Sequence, residues 1–410
     1  MKYLLLLSVF FISLSSQAST RFAEWRVTTK EEVFGLDLET PFTSISLHGR
    51  ELWDGISVLV NGVEYFPEVS AHMGAKSSAL ILGDEPFNMV RLINHTGKEI
   101  DITVKSYNGQ YTTALKQKAQ QVQAVNKRSD CDLPPIVDQD IWRDGLKDPK
   151  PNPAATEVTN LVIHHSATSN SATDYLLAVR NIYLYHVNNN GWDDVGYNFL
   201  VAPDGTLYAG RDGQGKEDDN VRGAHFCAKN SYTMGVCLIG NYSEIPPPDT
   251  MINTLAALLA WKLKKDDLQP LEKTFHPKGS STGFDLPVVC GHRDGHKPGL
   301  WAGCQTECPG NYTYDIMDSI RARVVDVLLD CDYVVGMDSR IADSKLQIQN
   351  WEGGLLITTK ENTTIQVFDM LGREQRVMNL VKGVSSKVFL SPGVYVLRAG
   401  GGSGIMCLVE

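Results

Sequence analysis

Short runs in which apolar and polar residues alternate occupy the first quarter of the chain, at 24–27, 44–47, 56–60, 89–93 and 100–104. A period of two is the signature of half-buried strands. Asn61 and Gly62 lie between two such runs and read as a tight hairpin turn. These runs predict an N-terminal β-sandwich domain over 19–112. Its histidines, His48, His72 and His95, sit on separate runs without ligand spacing, so the domain reads as a structural or binding accessory. Residues 113–130 are polar and rich in Gln, Lys and Ala, which predicts a short helix and a linker.

The pattern then changes period. A buried-type strand at 160–164 precedes a helical stripe over 173–187, formed by Leu176, Leu177, Val179, Ile182 and Leu184. Further strands are expected at 197–201 and 234–239, and helices at 250–264 and 314–329. Alternation of strands and helices predicts an α/β domain over 131–331, a mixed central sheet flanked by helices. From 332 to 410 the period of two returns, with strands expected at 346–349, 355–358, 364–368 and 393–398, enough for a second β-sandwich. The architecture expected is therefore multidomain: β, α/β, β.

The N-terminus carries an apolar run over 3–14, broken only by Ser8 and Ser13, behind the positive Lys2. Ser16, Gln17 and Ala18 follow with the small residues of a cleavage site, so 1–18 reads as a signal peptide. That run is too short to span a bilayer comfortably, and no later stretch reaches about 18 apolar residues. The expectation is an exported protein, secreted or at the cell surface, with the periplasm as transit compartment and no membrane span in the mature chain. Disulfides are permitted there.

Length and charge narrow the function. At about 150 residues per domain, 410 residues suggest two or three domains. A formal net charge of −10, from 38 Lys+Arg against 48 Asp+Glu, excludes a charge-driven hold on nucleic acid. Adsorption to anionic wall polymers is excluded on the same ground, so any recognition is local.

Candidate metal ligands concentrate in the middle domain. His164 and His165 end an apolar strand, where alternation puts their rings on opposite faces. Gly291, His292, Arg293 and Asp294 end a second apolar run, and Thr306, Glu307, Cys308, Pro309 and Gly310 follow. Two imidazoles and a thiolate suit zinc with a fourth position open, a catalytic rather than a closed structural arrangement. Taken singly, each piece also fits a packed histidine or a turn.

The stretch from Val162 through His164, His165, Ser166, Ala167 and Thr168 resembles the zinc N-acetylmuramoyl-L-alanine amidases shared by phage-type lysozymes and animal peptidoglycan recognition proteins. The likeness continues through Gly191, Trp192 and the run Gly196, Tyr197, Asn198 and Phe199. It extends through Asp204 to Arg211, Gly223 to His225, Gly235 to Asn241, the His292 motif and the Cys308 motif, in the family's order. The resemblance implies zinc (Zn2+) as cofactor, held by His164, His292 and Cys308. It implies Tyr197 as catalytic tyrosine, with a core tyrosine as the plain alternative. It also implies His186, His225 and Asn230 as muropeptide contacts, each alternatively a buried hydrogen-bonded group. The reaction implied is cleavage of the amide joining N-acetylmuramic acid to L-alanine in peptidoglycan, zinc lowering the pKa of water to about 7. Thr306 stands where phage enzymes have lysine, as in active animal members, and is a second catalytic candidate. The interval between His292 and Cys308 is about twice the family's usual length. The insertion 296–304 can form a rim and offers His296 and Cys304 as rival ligands.

With Cys308 on zinc, seven of the eight cysteines remain. Cys131 with Cys331, Cys227 with Cys237, and Cys290 with Cys304 are candidate pairs among fifteen pairings of six, leaving Cys407. The tail resembles the C-terminal sorting domain of the Bacteroidetes type IX secretion route, on the run Ile365 to Arg373 and on Leu390 to Leu397. That implies the outer-membrane secretion machinery as a partner and removal of the tail, although the run Ile405 to Glu410 lacks the usual basic last strand. Two rival readings stand beside the enzyme: a non-catalytic peptidoglycan-binding module of the same fold, and a surface adhesin using the first β domain.

Overall fold

The computed structural model describes residues 21–49, 55–67, 69–70, 74–78, 80–123, 132–214, 217–226, 229–297, 299, 305–331, 346–351, 354–369, 373–391, 393–399 and 404–409. The expected signal peptide, His72, Cys131, Cys227, Cys304, most of the second half of the 113–130 segment and most of the 296–304 insertion lie outside them.

The first unit is an antiparallel sheet of eight strands: β1 (Phe22–Thr29), β2 (Val33–Gly49), β3 (Ile56–Val60), β4 (Val63–Tyr65), β5 (Val69–Ser70), β6 (Gly74–Ser78), β7 (Ile81–Asn94) and β8 (Ile100–Tyr107). Their order is β1-β8-β2-β7-β3-β4, with β6 pairing both β2 and β5. Alternate residues such as Val27, Leu36, Leu38, Val58, Val90 and Val104 form one buried cluster, as the period of two requires. Asn61 and Gly62, both at positive φ, make the hairpin between β3 and β4.

α1 (Thr113–Gln123) follows and is docked, with Leu115 and Ala119 buried against the middle of the chain. The first half of the predicted linker is thus part of a core. Next come β9 (Ile136–Val137), α2 (Gln139–Trp142), β10 (Asn160–His165), α3 (Tyr175–Asn188), β11 (Phe199–Val201), β12 (Leu207–Ala209), β13 (Thr233–Leu238), α4 (Asp249–Asp266), β14 (Lys273–His276), β15 (Phe284–Pro287), β16 (Val289–Gly291), α5 (Asn311–Asp315) and α6 (Met317–Asp330). Six of these strands make a sheet in the order β16-β10-β13-β11-β12-β9. The pairs β16–β10, β10–β13, β13–β11 and β12–β9 are parallel, and only the β11–β12 pair is antiparallel. Parallel central strands must be covered on both faces. Leu161, Ile163 and Val236 face α4 and α6, whereas α1, α2 and α3 cover the other face. The amidase-type α/β layering read from the sequence is the one observed.

Two expected elements divide. The apolar run before His292 splits into β15, which hairpins with β14, and β16, which joins β10. The helix expected at 314–329 breaks at Ile316, and the short α5 is fastened to the strand ends by Tyr312 N–H donating to the Tyr242 carbonyl (3.1 Å).

Beyond residue 345 lie β17 (Leu346–Trp351), β18 (Gly354–Thr359), β19 (Thr363–Asp369), β20 (Glu374–Leu380), β21 (Ser385–Phe389), β22 (Gly393–Ala399) and β23 (Gly404–Val409). They form a three-stranded sheet, β17-β18-β21, and a four-stranded sheet, β20-β19-β22-β23. Leu355 and Ile357 from one share a core with Ile365, Val367 and Leu397 from the other. No helix among the described residues is long and apolar enough to cross a membrane.

The first unit is locked to α3 by a fully buried arginine. Arg180 donates to the carbonyls of Gly109 (2.6 Å), Trp142 (2.5 Å), Asp144 (2.9 Å) and Gln110 (3.1 Å). Beside it the Thr43 hydroxyl donates to Asn181 Oδ1 (2.8 Å). Tyr107, Leu80 and Leu82 join the α3 core. Burial lowers the Arg180 pKa to about 10, so the guanidinium stays charged at neutral pH and is held by carbonyl dipoles. Arg180→Leu leaves the carbonyls of the buried Gly109 and Trp142 without this donor and is expected to destabilise the full chain by about 2–4 kcal/mol in denaturant titrations.

His48 is hydrogen-bonded between Ser46 Oγ (2.8 Å) and Ser77 Oγ (2.7 Å), and burial lowers its pKa to about 4, Lys105 adding to the shift. Burial lowers His276 to about 4 as well. Both are neutral in the fold, whereas an unfolded histidine titrates near 6.5. Their stabilisation is therefore complete above pH 6.5 and is lost as pH falls toward 4, because the unfolded chain takes up the protons first. Thermal midpoints should drop over that window, with a shallower slope in a His48→Asn, His276→Asn double variant.

Candidate metal centre

β10 and β16 are adjacent and parallel, so their carboxyl ends emerge together. His164 lies near the end of β10, and His292 opens the 3-10 turn that follows β16. Cys308 arrives from the loop before α5. The ligand atoms of His164, His292 and Cys308 all lie within 4.8 Å of one another, and all three residues are buried. Cys308 Sγ stands 3.6 Å from His164 Nδ1. His165 points to the opposite face, as alternation required, and its Nδ1 accepts the Tyr242 N–H (3.2 Å). Of the rival ligands, His296 is not in the cluster.

The Cys308 loop is held by the residue next to His292. Arg293 N–H donates to the Cys308 carbonyl (2.9 Å), and its guanidinium donates to the Glu307 carbonyl and to Asn311 Oδ1 (3.0 Å). The same guanidinium lies 4.5 Å from the Tyr314 ring centroid. Asp294 accepts from Gly291 N–H (2.8 Å) and from the Tyr314 hydroxyl (2.5 Å). Thr306, the catalytic candidate, accepts the Cys308 N–H (3.1 Å) on its hydroxyl and so shapes the cysteine loop.

Burial pushes the Cys308 thiol up to about 12, although the His165 N–H and Arg293 favour the thiolate. The protein alone thus keeps a neutral thiol here. Two imidazoles and a thiol in a dry, convergent arrangement are the donor chemistry that zinc takes in open sites.

Tyr197 precedes β11, with its ring 5.3 Å from that of His164. Burial holds its phenol well above the usual tyrosine range, so it stays protonated, and it is hydrogen-bonded to the Cys237 thiol. Cys237 is the register partner of His164 on β13, which places both on one face. Cys237 and Cys290 are free thiols. That corrects the expected pairs with Cys227 and Cys304: both sulfurs are buried within the α/β domain, Cys237 against Tyr197 and Cys290 beside Val162 and Phe226.

The next residue of the same motif, Asn198, ties the site together. Its Oδ1 accepts the Gly235 N–H (2.8 Å), and its Nδ2 donates to the carbonyls of Asp218 (3.0 Å) and Val221 (2.7 Å). The 217–221 turn is anchored from below by the buried Lys262, which pairs with Asp219, Asp266 (2.7 Å) and Asn220 Oδ1 (2.9 Å).

Of the three expected muropeptide contacts, Asn230 reaches a cleft of about 440 Å³ together with Trp192, Asp193, Arg211, Arg222 and Ser231. Its Oδ1 accepts the N–H groups of His225 (2.7 Å) and Phe226 (2.8 Å). His186 and His225 are instead buried. His186 accepts the Gly196 N–H (3.1 Å) and packs its ring 5.6 Å from that of Tyr197, while His225 lies beside His164. Arg211 is a cleft residue to which the sequence reading gave no role of its own. Its Nε donates to the Val195 carbonyl (3.0 Å), and its Nη2 is buried without a protein acceptor.

Fold and cluster together define an α/β domain with a buried His/His/Cys donor set beside a polar cleft. Residues 154–311 match the sequence profile of the N-acetylmuramoyl-L-alanine amidase family. Peptidoglycan-recognition protein SC2 of Drosophila simulans is 33% identical over 169 residues, covering 41% of this chain and 74% of that protein. Among solved structures, a mutant of Drosophila PGRP-LB in complex with tracheal cytotoxin is 26% identical. The match covers 46% of this chain and 96% of that one, with a TM-score of 0.35. The endolysin N-acetylmuramoyl-L-alanine amidase LysCS of Clostridium intestinale is 22% identical over 46% of this chain and 96% of its own, with a TM-score of 0.33. The chain belongs to the family of N-acetylmuramoyl-L-alanine amidases and peptidoglycan recognition proteins.

The donor set predicts uptake of one divalent ion per chain, measurable with zinc. Arg293→Ala, which frees the Cys308 loop while leaving all three donors, is expected to weaken that uptake about tenfold in chelator competition.

Proposed function

We propose that the chain is an exported, zinc-dependent N-acetylmuramoyl-L-alanine amidase that cleaves the bond between N-acetylmuramic acid and L-alanine in peptidoglycan. The observation that carries this reading is the convergence of His164, His292 and Cys308 within 4.8 Å, with the Tyr197 ring packed against His164. A recognition module needs the cleft but not a buried thiol among imidazoles.

Bound to these three residues, zinc supplies Lewis acidity and lowers the pKa of water to about 7. Tyr197 stays protonated and therefore acts as a donor. Its hydroxyl, hydrogen-bonded to the Cys237 thiol, turns to the oxygen on which charge develops as the scissile carbonyl is attacked. The cleft lined by Arg211, Arg222 and Asn230 suits the carboxylates and amides of a stem peptide. His186 keeps the Gly196–Tyr197 backbone in place.

Around this centre the chain divides as 19–112, 113–130, 131–331 and 332–410. The two flanking β units act as accessories, and the tail 332–410 is the sorting domain that engages the outer-membrane secretion machinery after export through the periplasm. The two tail sheets around one core support this reading.

Purified protein loaded with zinc should release peptides with new L-alanine amino ends from peptidoglycan, in a chelator-sensitive way. Tyr197→Phe should lower kcat about 10²–10³-fold with little change in KM, and Cys308→Ala should abolish release. Peptidoglycan binding by zinc-loaded wild type without any new amino ends would establish the recognition-module reading instead.

A further inference from the structure

We propose that His225 is a positioning residue that sets the tautomer of the metal ligand His164, as the inner end of a hydrogen-bond relay running from the Asn230 carbonyl. The inference rests on reading the His/His/Cys cluster as a zinc site.

The relay can be read in one direction only. The Thr233 hydroxyl is buried and donates to the Asn230 carbonyl at 2.8 Å. Having given its proton there, Thr233 Oγ1 is an acceptor toward His225 Nε2, 3.4 Å away. His225 therefore carries its proton on Nε2 and presents a lone pair at Nδ1. His225 Nδ1 lies 2.9 Å from His164 Nε2, with the two rings edge to face at 84°. His164 must be the donor in this contact, so its proton sits on Nε2. Its remaining lone pair, at Nδ1, is on the side of Cys308 Sγ, 3.6 Å away. A neutral imidazole with its free nitrogen toward the other donors is the form a metal requires, and the partner on its second nitrogen fixes it there.

The surroundings of His225 are built for this contact. Its ring lies against two glycines. A Cβ on Gly235 would come within 2.6 Å of the ring, and one on Gly223 within 2.4 Å. Gly235 is two residues before Cys237 on β13, so the ring rests on the same sheet face that carries His164. Asn230 secures the His225 backbone through its side chain and closes the relay through its carbonyl. His225 itself is only 2% exposed, so its place is beside the ligand and not along the cleft wall.

The test compares full-length wild type, H225F and H225N. Phenylalanine fills the ring cradle without an acceptor, whereas asparagine keeps an acceptor oxygen near the Nδ1 position. H225F is expected to bind zinc 10–100-fold more weakly in chelator competition, with H225N within about threefold of wild type. Nitrogen-15 NMR of the histidine rings should show His164 protonated at Nε2 in zinc-loaded wild type. Zinc affinity of folded H225F within twofold of wild type, or a His164 proton on Nδ1, would overturn the proposal. If H225F does not fold, the ring NMR of wild type decides it alone. A wild type that takes up no zinc refutes the metal-site reading itself, an outcome separate from zinc binding that ignores His225. If His225 is instead a substrate contact, H225F keeps its zinc and raises KM.

Discussion

Two imidazoles and a thiol, drawn together in a water-poor pocket at the carboxyl ends of parallel strands, are the constraint on which the α/β domain depends. Desolvation works against that arrangement. Burial raises the Cys308 thiol to about 12, and polar rings out of water must find partners. The surrounding structure answers by over-determining each group. Arg293 closes the loop between the second histidine and the cysteine, Asp294 ties the turn to Tyr314, and Asn198 spans β13 and the 217–221 turn. The motif residues between the ligands are thus mostly supports, and their spacing follows from main-chain groups they must reach.

The flanking unit at the N-terminus belongs to the same mechanical problem. α3 carries His186 beneath the tyrosine loop, and its other side is covered by the first sheet through Arg180, Asn181 and Tyr107. A buried guanidinium without a carboxylate partner must be surrounded by carbonyls whose positions are fixed, and here they come from the segment 109–110 and from 142–144. The sheet therefore stabilises the helix that supports the site, whatever else it binds.

Much of this was legible in the chain. Periods of two and 3.6 locate most of the strands and the long helices, because burial on one face is what produces those periods. The opposite orientation of His164 and His165 followed from alternation alone. Less legible were features set by partners distant in sequence. Cys237 was read as half of a local disulfide because its neighbour in sequence is Cys227, whereas its neighbours in space are Tyr197 and His164, by strand register. For His186 and His225 the sequence left a groove contact and a buried hydrogen-bonded role both open, and packing places each ring inside, His186 beside Tyr197 and His225 beside His164. Arg211 follows Gly210 in a stretch that resembles the amidases, yet its buried Nη2 without a protein acceptor is visible only in three dimensions.

The central claim is that His164, His292 and Cys308 together form an open zinc site. X-ray absorption at the zinc edge of the loaded full-length protein tests it most directly. One sulfur at about 2.3 Å and two or three nitrogen or oxygen ligands at about 2.0–2.1 Å around a single zinc are expected. A zinc shell without sulfur, or one with two or more sulfurs, would contradict it.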